Sequence, residues 1–199
     1  VPMPPHQPPC DIFILSGEPS GDAYAAAIVE EMRRQRPELV VAAMGGERLA
    51  QAGVEIEIDN AGLAVTGPLA YLSLARLRLQ LEVNVIGLLA VTQAFLPLLG
   101  HASTPGRLIN LSSVAGRVAT PFLGPYAASK HAVEGLSDSL RRELMPAKIP
   151  VIVIQPGPIA TPLWEKDVEE TLAHFKDTPY SPLLHRLKDY FQRQGQNGL

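Results

Sequence analysis

Apolar positions along this chain fall into short unbroken runs separated by stretches of helical spacing. Asp11–Ser16 (DIFILS), Glu38–Met44 (ELVVAAM), the run from Leu108 into a Ser pair at Ser112 and Ser113, and Pro150–Gln155 (PVIVIQ) are apolar through their middles. Runs of this kind read as strands of a parallel sheet buried on both faces. In a fifth segment, Val54, Ile56 and Ile58 alternate with Glu55, Glu57 and Asp59, the pattern of a strand with one wet face. Between these runs lie an alanine-rich helix of about four turns from Ala23, a short helix at Glu47–Gly53, a long helix from Ser73 to Leu99, and another that starts near Tyr126 and turns at Pro146. Strand, Gly-containing turn and helix over residues 11–38 form the first half of a βαβ unit. Residues 165–199 are polar and read as helical in two pieces.

The 199 residues can bury a substantial core as one domain, here 11–199, with the Pro-rich residues 1–10 expected to be a disordered leader. That leader has neither a charged start nor a long apolar run, so it does not read as a signal peptide. A net charge of -3 with no basic block argues against nucleic-acid binding. Cys10 is the single cysteine, which excludes an intrachain disulfide and a thiolate metal cluster, and the five His have no ligand spacing. The expectation is therefore no metal and a reducing, cytoplasmic setting. Val83–Gly100 approaches the length of a membrane span, but Asn84, Thr92, Gln93 and Pro97 interrupt it. A helix covered on most sides by protein is expected instead.

Candidate chemistry concentrates between Leu108 and Lys130. Tyr126 and Lys130 are four residues apart, so on a helix they share a face. A phenol titrates near about pH 10, and a fixed positive charge beside it favours the phenolate, which suits Tyr126 to general acid–base work. Ser113, coming off the preceding strand, can hydrogen-bond the same substrate oxygen. Ser113, then Tyr126 thirteen residues on inside YAASK, then Lys130, resembles the active-site signature of the short-chain dehydrogenase/reductase family.

From Asn60 to about Trp164 that resemblance is continuous. Asn60, Ala61 and Gly62 match the end of the family's NNAG motif, with Asp59 in place of its first Asn. Asn84, 24 residues later, matches the structural Asn that bends a helix and holds a water connecting to the Lys. Pro156, Gly157, Ile159 and Thr161 match the loop that meets the nicotinamide. Residues 165–199 correspond to a mobile flap over the substrate.

The amino-terminal stretch fits two families. Ser16, Gly17 and Gly21 can be laid over the TGxxxGxG cofactor loop, but Ala23 stands at its third glycine and Asp22 brings a negative charge. Residues 11–59, with GEPSGD and a GG-x-R motif at Gly45–Arg48, look more like the start of lipid-A-disaccharide synthase, which makes the chain look like a hybrid or truncated one. Glu47 and Arg48, past the second strand, leave NAD and NADP both open. Only 43 positions separate Gly17 from Asn60, too few for the family's third strand.

The resemblance implies a three-layer α/β/α Rossmann-like sandwich with a parallel sheet trimmed at both edges, family strands 3 and 7 missing, in the order 2-1-4-5-6. It implies hydride transfer between NAD or NADP and a secondary alcohol or ketone. Asn84, Ser113, Tyr126 and Lys130 would be the catalytic set, with Tyr126 and Lys130 also at the nicotinamide ribose. A homodimer is expected through the long helices. The alternative is a catalytically inactive hybrid, truncated or designed chain with a defective cofactor site.

Overall fold

A computed structural model describes residues 11–15, 19–44, 63–100, 106–157, 171–186 and 188. Its centre is a parallel sheet of β1 (Ile12–Leu15), β2 (Val41–Met44), β3 (Arg107–Leu111) and β4 (Val151–Ile154), in the order β2-β1-β3-β4. Ile12 lies opposite both Val41 and Arg107, and Leu108 lies opposite Val151. Helix α1 (Pro19–Gln35) connects β1 to β2. Helix α2 (Leu74–Leu81) continues through a π-helical turn at Glu82–Gly87 into α3 (Leu88–Gly100), and α4 (Gly124–Glu143) lies between β3 and β4 in the chain.

Side chains alternate across the sheet, so each face has its own core. Ala25, Ala26 and Val29 of α1 pack on Ile12, Ile14, Val41, Ile109 and Leu111. On the opposite face Leu99 of α3 and Leu140 of α4 meet Leu108, Ile149 and Val151. Each fully buried aliphatic side chain contributes roughly 1.5–3 kcal/mol relative to exposure, so the two clusters hold the layers together. The result is the expected α/β/α sandwich.

The sheet order departs from expectation. The strand read at Val54–Asp59 was to lie between β1 and β3, yet β1 pairs directly with β3 from Ile12–Arg107 to Leu15–Asn110. Both edges of β1 are thereby taken, by β2 and β3, and no strand lies between them. A central strand covered on both faces would also have to bury the acidic residues that alternate with Val54, Ile56 and Ile58. Residues 54–59 themselves, like residues 1–10 and the helix read at Glu47–Gly53, lie outside the described residues.

Helix α1 starts earlier than its apolar pattern indicates, at Pro19, whose fixed φ suits a first helical position. Gly21 is therefore inside its first turn and not in a loop ahead of it. The long helix is present as expected, with the π-helical turn at Asn84. Its cover is thinner than expected. The Leu74–Pro97 helix is long and apolar enough to cross a membrane by length and composition, and 17% of its most apolar window is buried within the described structure. One stripe, Gln80, Asn84, Thr92 and Leu99, faces inward, while Leu74, Leu79 and Ile86 are exposed.

Among the described residues of the tail, 171–174, 181–186 and 188 are helical with turns at 175–180 between, and the remainder of 165–199 lies outside the described residues. The described pieces lie against the 63–71 segment: the Thr66 and Thr171 hydroxyls hydrogen-bond, and Tyr180 meets Tyr71 and Phe122 edge to face, each at 5.9 Å between ring centroids. Gly67, at φ 138° and with its N–H donating to Phe122 O at 2.8 Å, lies where any Cβ would strike the buried Phe175 ring.

Candidate active site

The parallel sheet carries its functional loops at the carboxyl ends of the strands. β3 runs out at Leu111, and Ser113 follows in extended conformation, its Oγ accepting from Ala115 N at 3.1 Å and capping the short 3-10 turn Val114–Gly116. That acceptor role leaves the Ser113 hydroxyl proton for another partner. The loop then returns through Phe122, at φ 67°, into α4, where Pro125 occupies the first turn.

Tyr126 and Lys130 are both buried on α4, at 3% and 2% exposure. The Lys130 ammonium lies 5.5 Å from the Tyr126 ring centroid and donates to Leu111 O at 3.2 Å. Lys130 is thus tied to the end of the strand that delivers Ser113. A Lys buried to this degree needs such partners, because transfer of an ammonium out of water is costly.

Asn84, 5% exposed, sits in the π-helical turn. Its Nδ2 donates to Leu63 O at 3.1 Å and to Ser129 Oγ at 3.2 Å, and Ser129 Oγ donates to Tyr126 O at 2.7 Å. Gln80, one turn earlier, accepts from Val65 N at 2.6 Å and donates to Leu63 O. Together the two amides hold the chain just downstream of Asn60–Gly62 and couple it, through Ser129, to the helix of Tyr126 and Lys130.

At the end of β4, Pro156 O accepts from Val114 N at 3.0 Å, which seats Pro156 and Gly157 beside the Ser113 turn. Asn84, Ser113, Tyr126, Lys130, Pro156 and Gly157 are therefore positioned by β3, β4, α4 and the π-helical turn that packs on α4. Gly21 lies in the first turn of α1, following the carboxyl end of β1. Ser16, Gly17, Asn60, Ala61, Gly62, Ile159 and Thr161 lie outside the described residues.

Several supporting residues do not stand out in the sequence. Glu134, 6% exposed, bonds Arg117 and Gln155. Its only sequence signal is spacing, one turn beyond Lys130 on the same face of the helix. Ser129 lies inside YAASK but is not singled out there, and Gln80 carries no motif.

A sequence pattern described as short chain dehydrogenase matches residues 23–172. The chain is 42% identical over 142 residues to an NADPH-dependent 3-dehydrocapnine reductase of Ornithobacterium rhinotracheale, covering 70% of this chain and 50% of that protein. It is 36% identical over 158 residues to human 17-beta-hydroxysteroid dehydrogenase type 1, covering 76% of this chain and 48% of that one. Among solved structures, a short chain dehydrogenase from Burkholderia cenocepacia J2315 in complex with NADP superposes with a TM-score of 0.61 at 29% identity, over 80% of this chain and 76% of that one. An NAD+-bound xylitol dehydrogenase gives a TM-score of 0.63 at 22% identity, covering 85% of this chain and 78% of that one, a likeness of fold. The chain spans about half the length of the curated relatives it matches. With three quarters of its length inside the family pattern, the chain belongs to the short-chain dehydrogenases.

Proposed function

We propose that the chain is an NAD- or NADP-dependent oxidoreductase that interconverts a small secondary alcohol and its ketone. The observation that carries this reading is the convergence of Ser113, Tyr126 and Lys130 at the carboxyl end of β3, in a chain of this family. The described residues suit the cofactor. α1 begins just past the end of β1, and a helix start in that position suits a phosphate. The Lys130 ammonium is held at the end of β3 beside Tyr126. Ser16, Gly17 and Gly21 would hold the pyrophosphate, Asn60, Ala61 and Gly62 the floor of the site, and Pro156, Gly157, Ile159 and Thr161 the nicotinamide. When bound, the nicotinamide supplies or accepts the hydride.

In reduction Tyr126 Oη gives its proton to the carbonyl oxygen, and in oxidation it takes the proton back. Ser113, whose Oγ already accepts from Ala115 N, uses its own O–H to polarise that oxygen. The Lys130 ammonium, beside the Tyr126 ring, would favour the phenolate and would hold the nicotinamide ribose. Asn84, bonded to Ser129 next to Lys130, completes the proton relay. The helical pieces at 171–186 serve as the substrate flap, a role supported by the contact of Tyr180 with Phe122, one turn before Tyr126.

NADP has the support of the NADPH-dependent relative and the NADP complex. A second copy of the chain would cover the exposed apolar face of the Leu74–Gly100 helix, and the single Cys10 accords with a cytoplasmic setting.

The test is cofactor-dependent turnover of a panel of hydroxy-acid, polyol and steroid alcohols and ketones, followed by nicotinamide absorbance. Turnover of at least one pair, lost in Tyr126→Phe, is expected. Absence of turnover with every pair and both cofactors would favour the inactive hybrid.

A further inference from the structure

We infer that Glu134 is a positioning residue that clamps the Ser113 turn and the Pro156–Gly157 loop onto the catalytic helix, an inference that rests on the oxidoreductase reading above. Tyr126, Lys130 and Glu134 follow one another at four-residue spacing on α4, so the three occupy one face. Glu134 is 6% exposed, among the few buried charged groups in the described residues. A carboxylate is placed there at a cost that its partners must offset. Those partners come from the two loops that matter. Arg117, one residue beyond the 3-10 turn that Ser113 caps, meets Oε2 at 3.1 Å, and Gln155, the residue before Pro156, donates to Oε1 at 2.8 Å.

The surrounding backbone is built around the same carboxylate. Ser112 N donates to Ile154 O at 2.8 Å and Val114 N to Pro156 O at 3.0 Å, so the ends of β3 and β4 stay joined past the last paired residues of the sheet. Gly116 crosses directly over the site. A Cβ there would lie 2.6 Å from Ser112 Oγ and 3.1 Å from Glu134 Cγ, so the turn closes this tightly only with glycine. Helix, turn and loop are thus bolted at one point, on the side of α4 that carries Tyr126 and Lys130. Loss of the bolt frees Ser113 and Pro156 relative to Tyr126 while the sheet below stays intact.

The experiment compares wild type, Glu134→Gln, Arg117→Ala and Arg117→Lys in two readouts. The first is amide hydrogen exchange. Val114 N and Gly116 N are expected to exchange faster in Glu134→Gln and Arg117→Ala, with Ile109 N of β3 unchanged and Arg117→Lys restored toward wild type. The second is affinity for NADH and NADPH set against ADP-ribose and 2'-phospho-ADP-ribose, which lack the nicotinamide. Each reduced cofactor should bind about tenfold more weakly in the two disrupting variants, the scale of one lost charged hydrogen bond, with the nicotinamide-free counterparts unaffected. A uniform loss of protection across β3, or equal loss of all four ligands, would mean a merely structural role and would overturn the inference. Wild-type exchange in both variants would overturn it too. Arg117 is largely exposed, so its variants remain folded where Glu134→Gln does not. If wild type itself binds neither cofactor, the oxidoreductase reading fails, and the exchange readout still decides the clamp.

Discussion

Tyr126 lies 5.5 Å, ring centroid to ammonium, from a lysine that is itself anchored to the end of β3, so loss of its hydroxyl removes the proposed proton donor while keeping the ring. Tyr126→Phe is expected to lower turnover by about 10²–10⁴-fold, the range of general acid–base catalysis. Its cofactor affinity should fall by no more than about tenfold, one hydrogen bond's worth. Steady-state kinetics and cofactor titration check both. Gly67 makes a separate prediction. At φ 138° and against Phe175, Gly67→Ala is strained in backbone and packing together, and denaturant unfolding should register a loss of about 2–4 kcal/mol. At this scale the proximity of Tyr126 and Lys130 was legible because its information is local: a four-residue spacing on a helix places two side chains on one face whatever else the chain does. Glu134 was not, because what makes it matter is the arrival of Arg117 and Gln155 from two loops, and no spacing encodes that.

Among elements, the long helix shows how an apolar run can hide a polar stripe. Gln80 and Asn84 are buried only because they hold the backbone at Leu63 and Val65, and the π-helical turn at Glu82–Gly87 lets Asn84 face α4. Asn84→Leu removes the Asn84 hydrogen bonds to Leu63 O and Ser129 Oγ, which keep their bonds to Gln80 and Tyr126 O, and should cost about 1–3 kcal/mol in denaturant unfolding. The four described strands were readable from unbroken apolar runs, since a strand covered on both faces has no wet side to alternate. The fifth misled for the converse reason. Its alternation with Glu55, Glu57 and Asp59 is a sound local strand pattern, but placement in the centre of the sheet depends on neighbours, and β1 and β3 took each other instead. The start of α1 was misplaced because Pro19 and Gly21 read as turn residues, whereas proline at the first helical position is compatible with the helix.

For the whole molecule, the thin cover of the Leu74–Gly100 helix sets the expectation. Leu74, Leu79 and Ile86 are more than half exposed along this apolar helix, side chains that a partner could cover. Sedimentation is expected to give a dimer at micromolar concentration, and Ile86→Arg to shift it to monomer with little loss of secondary structure. A monomeric wild type would contradict this. The sandwich architecture was legible because strand and helix patterns alternate along the chain, whereas the cover of this helix was not, since only packing reveals which sides remain open. The central claim concerns cofactor use, and direct titration of the purified chain with NADH and with NADPH, followed by nicotinamide fluorescence and thermal shift, tests it most directly. The account predicts saturable, micromolar binding of at least one cofactor accompanied by a raised melting temperature. Absence of binding of both at millimolar concentration would contradict it and leave Ser113, Tyr126 and Lys130 as a catalytic arrangement without a cofactor to serve.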